Sequence, residues 1–145
     1  MGLNLEKSDI VFFDTAPFIY YFEKNPTYFE VVAGLIEDLY KCDAQAITSI
    51  ITYIELTTQP ARCGDKHLVR KYRDYLSYSE HLTLFPLDMH IADQAVILRA
   101  QYGFKTPDAI QLGTALACGA DYVITNDKQW RRCPDIAIVL LDELL

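Results

Sequence analysis

Ile10-Val11-Phe12-Phe13 is a short apolar run that stops at Asp14. A strand apolar on both faces suits a parallel sheet covered on both sides. Asp14-Thr15-Ala16-Pro17 has the form of a helix start, with a capping oxygen at Asp14 or Thr15 and proline in the first turn. The helix it opens is predicted over Phe18 to Glu23. A second is predicted from about Thr27 to Tyr40, where Val31, Leu35 and Leu39, with Val32 and Ile36, fall at helical spacing. Ala44 to Thr48 reads as a second strand, and Ser49 as the cap of a helix carrying Ile50, Ile51, Ile54, Glu55 and Leu56, which Pro60 is expected to end. Gly64-Asp65 opens another helix, from Lys66 to Ser77. Leu82 to Phe85 is a third strand, closed by Pro86. Asp88 caps a helix running to Tyr102, with Gly103 as its C-cap, and Thr106-Pro107 starts the next, with Thr106 as cap and an end near Gly119. Asp121 to Thr125 and Ile136 to Leu141 complete a set of five strands.

Strands that alternate with helices, with few hairpin signals between them, define an α/β fold built on a mainly parallel sheet. Right-handed crossovers place the C-terminal ends of all such strands on one edge, where ligand sites gather in open sheets. There is no internal repeat and no linker-like stretch, so residues 1–145 are expected to form a single domain.

Composition narrows the class. The 51% hydrophobic and 23% charged residues supply a core and exclude wholesale disorder. Against 20 Asp plus Glu stand 13 Lys plus Arg, a formal charge of −7, which argues against holding nucleic acid by broad, non-specific charge. No apolar run approaches the roughly 20 residues that cross a bilayer, and the start, Met1 to Lys7, lacks the pattern of a leader. Cys42, Cys63, Cys118 and Cys133 show no close metal or redox spacing. They are expected to be free thiols in a reducing cytoplasm, several of them buried.

The chemistry lies in the acids. Asp14 follows the first strand directly and Asp127 follows the fourth; Asp108 sits in the first turn after Thr106-Pro107, and Glu55 lies about one turn into the helix after the second strand. All four sit where the chain leaves one sheet edge. Asp14 and Asp108 also suit plain capping or first-turn roles. Glu55 lies in a largely apolar helix with no Lys or Arg within a turn, so its burial would require a partner. Clustered carboxylates raise one another's pKa, and a divalent cation reverses that penalty. Oxygen ligands without His or Cys select Mg²⁺ or Mn²⁺. One or two such ions, about 3.5–4 Å apart if paired, would serve phosphodiester hydrolysis.

Three segments, FFDTAPFIYYFE, SIITYIELTTQPARCGD and KTPDAIQLGTALACGADYVITNDKQW, resemble the PIN-domain ribonucleases, and within them the VapC-type toxins, in the same order and spacing. The resemblance implies a three-layer PIN fold with a five-stranded sheet between helices. It implies a Mg²⁺- or Mn²⁺-dependent endoribonuclease acting on RNA, a cognate antitoxin protein and a homodimer. By position, Asp14, Glu55, Asp108 and Asp127 match the family's catalytic, metal-binding quartet. Thr15 and Thr125 match hydroxyl residues that orient those acids, and Asn126 is a polar neighbour of Asp127. Where the family usually adds an acid and an aromatic after the last acid, this chain has Gln129 and Trp130, so a fifth acid is absent. A dehalogenase-like phosphatase would need a second Asp two positions after Asp14, where Ala16 stands. The remaining alternative is a PIN-fold scaffold that binds RNA or protein without catalysis.

Arg62, Lys66, Arg70, Lys71 and Arg73 put five of the 13 basic residues into one short stretch. Lys66, Arg70 and Arg73 share a helix face, and with Arg62 they are candidates for contact with RNA phosphate, against the plainer reading of a solvated face. The aromatic run Phe18 to Phe22 and Trp130 are expected to pack the core.

Overall fold

The computed structural model describes residues 3–145; Met1 and Gly2, the head of the segment read above for a leader, lie outside the described residues. Five strands form one sheet: β1 (Ile10–Phe13), β2 (Gln45–Ser49), β3 (Leu82–Phe85), β4 (Tyr122–Thr125) and β5 (Ala137–Leu140). Their order is β3-β2-β1-β4-β5 and every pairing is parallel. Six α-helices connect them: α1 (Thr15–Phe22), α2 (Phe29–Cys42), α3 (Ile50–Arg62), α4 (Lys66–Tyr78), α5 (Met89–Tyr102) and α6 (Thr106–Ala117). Short 3-10 turns cover Lys128–Arg132 and Leu141–Leu144.

The alternation of side chains along β1 separates two packed layers. Val11 and Phe13 point into one, with Phe18, Val32, Leu35, Leu39, Leu56 and Leu76. Phe12 points into the other, with Ile47, Val123, Ile91, Leu98, Leu112 and Trp130. Both faces of the sheet are thus covered, as its continuous apolar strands require. The chain builds outward from β1 through β2 to β3 and then returns to add β4 and β5 on the other side. The reversal lies between β1 and β4, and crevices at such reversals are where ligands bind in open parallel sheets.

Three local expectations change. Pro60 does not end its helix, because α3 runs on to Arg62. The ring forfeits one N–H bond but is buried beside Leu68 and Tyr72, and its carbonyl accepts from Asp65 N at 2.9 Å. Thr106 is not the cap of α6: Lys105 occupies that position without a side-chain bond, and the Thr106 hydroxyl accepts from Arg99 Nη1 at 2.7 Å. All four cysteines are free, but only Cys133 is buried; Cys63 is exposed. The aromatic run packs as expected, with Phe18 buried and Phe22 against Tyr72 and Tyr75.

Candidate active site

Asp14 leaves β1 as the cap of α1, its backbone N–H still bonded to Ile124 O of β4 at 3.0 Å. Three donors hold its carboxylate. Thr15 N (2.7 Å) and Gln111 Nε2 (3.2 Å) donate to Oδ1, and Thr125 Oγ1 (2.7 Å) donates to Oδ2. These bonds favour the charged form, yet burial outweighs them, and the nearby charges of Glu55 and Asp108 add to it. The Asp14 carboxyl is raised to about 6.

The other acids surround it. Glu55 comes from α3 and accepts from Thr15 Oγ1 at 2.6 Å. It is exposed, so the burial argument made from its apolar neighbours does not hold: this face of α3 opens onto the crevice rather than the core. Asp108, half-buried in the first turn of α6, is raised chiefly by desolvation and then by the charge of Asp127; the Trp130 indole, Glu55 and Lys105 act with smaller effect, the indole and the lysine pulling it down. The Trp130 Nε1 is otherwise a buried donor without a hydrogen-bond partner among the described residues. Asp127 caps the turn after β4, accepting from Gln129 N at 2.9 Å, while its own N–H donates to Thr125 Oγ1 at 3.1 Å. Thr125 therefore ties the first acid to the last. Among the described residues no three of these groups stand close enough to ligate one ion together, as carboxylates that repel one another without a counter-charge keep apart.

Below the acids lies a polar layer that sequence reasoning missed. Gln111, Thr48, Ser49 and Thr52 are buried. Gln111 Nε2 also donates to Thr52 Oγ1 (3.1 Å) and Thr15 Oγ1 (3.3 Å), and its Oε1 accepts from Ser49 Oγ. Thr48 Oγ1 donates to Phe13 O at 2.8 Å. The available signal was Gln111 itself, an amide on the buried face of α6 between Ile110 and Leu112. Other expected site residues fall elsewhere. The Asn126 side-chain oxygen accepts from Asp142 N at 3.4 Å, turned toward the C-terminal turn rather than the acids. Lys66, Arg70 and Arg73 line a cleft between α3 and α4, whereas Arg62 donates to Gln59 Oε1 at 3.0 Å and stands outside it.

The family model of the PIN domain matches residues 11–136, a span that holds all four acids and the polar layer beneath them. The chain belongs to the PIN-domain family. No curated protein sequence matches it. Among solved structures, this PIN domain resembles a chain of VapBC2 from Rickettsia felis, bound to a DNA fragment from their promoter, with a TM-score of 0.73 at 20% identity over 90% of this chain and 98% of that one. DNA-bound VapBC from Salmonella typhimurium gives a TM-score of 0.73 at 19% identity, over 94% and 99%. Mycobacterium tuberculosis VapC20, a Sarcin-Ricin loop cleaving toxin, gives 0.59 at 13% identity, over 78% and 86%. At these identities the likeness shows the fold. In this PIN domain the two residues after Lys128 serve the scaffold: Gln129 donates its backbone N–H to Asp127, and Trp130 packs 6.5 Å from the Phe12 ring.

Proposed function

We propose that this PIN domain is a Mg²⁺- or Mn²⁺-dependent endoribonuclease and the toxin of a toxin–antitoxin pair. The observation that carries the reading is Asp14, a desolvated carboxylate held by three donors at the β1/β4 reversal and facing two further acids. Such an arrangement costs stability unless a cation offsets it. Lys105 lowers Asp108 only as the smallest of the influences on it. The donor set is all oxygen, which fits a hard divalent ion that keeps several of its waters and takes only one or two carboxylates directly.

Asp14, Glu55, Asp108 and Asp127 are the residues that would hold one or two such ions, in part through the ions' own waters. When bound, they would supply an activated water and charge neutralisation at a phosphodiester. The protein's own part is positioning. Thr125 and Gln111 fix both oxygens of Asp14, and Thr15 fixes Glu55. Asp108 rests on the first turn of α6, and Asp127 on the turn after β4 with its N–H on Thr125.

The substrate is proposed to be RNA; the structurally similar VapC20 is a Sarcin-Ricin loop cleaving toxin. The proposed partner is an antitoxin, since chains of the same fold occur in VapBC complexes. We place the chain in the cytoplasm as a single domain that pairs with a second copy. Among the described residues no helix is long and apolar enough to cross a membrane. Induced expression should arrest growth, and Asp108→Ala should relieve the arrest. An arrest equally strong with the variant contradicts the assignment.

A further inference from the structure

We propose that the cleft between α3 and α4 binds single-stranded RNA, as a second site apart from the acidic edge; the inference rests on the ribonuclease reading above. The cleft encloses about 670 Å³ and is lined by Tyr53 from α3 and by Lys66, Arg70, Arg73, Asp74 and Tyr78 from α4. The three cations recur at i, i+4 and i+7 along one face of α4, a row of about 10 Å. Like charges at this spacing destabilise a helix. Among the described residues none of the three has a carboxylate within salt-bridge distance, and Asp74, one turn beyond Arg70, is the one acid that lines the cleft with them. Three cations against the single Asp74 leave a local charge of 3 − 1 = +2 on a chain whose formal charge is −7. An anionic occupant would offset that remaining charge.

The tyrosines select which anion. Tyr78 is 81% exposed, the most exposed large hydrophobic side chain among the described residues, and Tyr53 lines the same cleft from the other helix. A row of cations beside free aromatic faces matches a strand that offers phosphates to the one and bases to the other. An acidic peptide would use only the cations. The opposite cleft of the same hairpin, about 260 Å³ beside Glu55, carries Glu23 and Asp65 and would repel phosphate. RNA is therefore drawn to one side of the hairpin only. Glu55, two residues beyond Tyr53 and about 200° around α3, lines that opposite cleft, so the RNA cleft stands apart from the acids.

Fluorescence anisotropy of the full-length chain with a labelled oligouridylate of about 12 nucleotides, in EDTA to suppress cleavage, tests this. The double substitution Arg70→Ala with Arg73→Ala should make the slope of log affinity against log salt shallower by about 1.4, as two lost single-strand phosphate contacts require. Tyr78→Ala should weaken binding roughly 5- to 150-fold with the slope unchanged. Lys71→Ala, on α4 but outside the cleft, serves as the control. The proposal is overturned if the double variant keeps the slope of Lys71→Ala. It is also overturned if Tyr78→Ala binds normally and oligoglutamate competes as well as RNA, which would mark a general polyanion site. Mn²⁺-dependent cleavage by the same wild-type preparation separates the two readings. Cleavage with cleft-independent binding removes only the cleft, and cleft-dependent binding without cleavage removes only the nuclease.

Discussion

Asp14 is the residue on which the electrostatics of this fold converge. Its carboxyl is raised from 3.8 to about 6, first by desolvation, so the folded chain holds a proton there that the unfolded chain has released. Protonation is the favoured folded form, and its contribution to stability is complete below about pH 4 and lost as the pH rises through about 6. The span, 6 − 3.8, corresponds to at most about 3 kcal/mol. Thermal unfolding of the metal-free chain should therefore show the melting temperature declining across that window. Asp14→Asn should flatten the decline, and an equal decline in the variant would refute the assignment. Gln111 is the residue that keeps Asp14 in place. Gln111→Leu removes its bonds to Asp14, Thr15, Thr52 and Ser49 at nearly constant volume. Loss of such a supporting bond typically costs 10–100-fold in metal affinity or activity. Mn²⁺ titration followed by calorimetry should read a loss of that size, while unchanged affinity would reduce Gln111 to packing. Asp14, Asp108 and Asp127 were legible in the sequence because each follows a strand or opens a helix, and Glu55 because it is the lone acid of a largely apolar helix. Gln111 was not, because an amide in a helix gives no sign of which face it occupies. Ser49 was legible only as a cap, although its oxygen serves both Ile51 N and Gln111. Glu55 was misjudged for a related reason: apolar neighbours in sequence do not bury a side chain whose helix face meets a crevice.

At the scale of elements, the strands were the easiest to recognise, since apolar runs such as Ile10–Phe13 and Tyr122–Thr125 need covering on both faces. Helix ends were harder. Pro60 and Thr106 carry strong local signals, and tertiary contacts override both, through a buried ring in one case and an arginine that takes the hydroxyl in the other. The contact of α5 with α6 left no mark in the sequence beyond Gly113. A Cβ at Gly113 would meet Ile91 O at 3.1 Å and Ala95 N at 3.2 Å, both backbone atoms of α5. Neither atom moves without shifting the helix that supports Asp108. Gly113→Ala should gain about 1 kcal/mol of helix propensity but lose more by overpacking, which costs about 1–3 kcal/mol. Gly34, inside α2, has nothing within 4 Å of its would-be Cβ. Gly34→Ala should stabilise by about 0.5–1 kcal/mol. Denaturant unfolding of the pair should move the midpoint in opposite directions, and a shared sign would contradict this account of the helix packing.

At the scale of the whole molecule, a chain of net charge −7 concentrates its acids at one sheet edge and a short row of cations in one cleft. On the proposed reading, nucleic acid would be directed to places rather than attracted by the surface at large. The outer face of α5 carries exposed apolar side chains: Met89 and Val96, seven residues apart, are 75% and 65% exposed, with Ile97 beside them at 46%, and the exposed His90 and Asp93 stand among them. Exposed apolar side chains grouped on one helix suit a covering surface, and the proposed dimer would supply one. Val96→Asp should yield monomers by light scattering, whereas a variant that still pairs would put the interface elsewhere. None of this patch was legible beforehand, because the sequence marks the ends of α5 at Asp88 and Gly103 but not which of its apolar residues face outward. The most direct test of the central claim is cleavage of total cellular RNA by the purified chain, with Mn²⁺ present or replaced by EDTA, beside Asp14→Asn. The account predicts discrete fragments with the wild-type chain and Mn²⁺ alone. Fragments that persist in EDTA, or that the variant produces equally well, would contradict it.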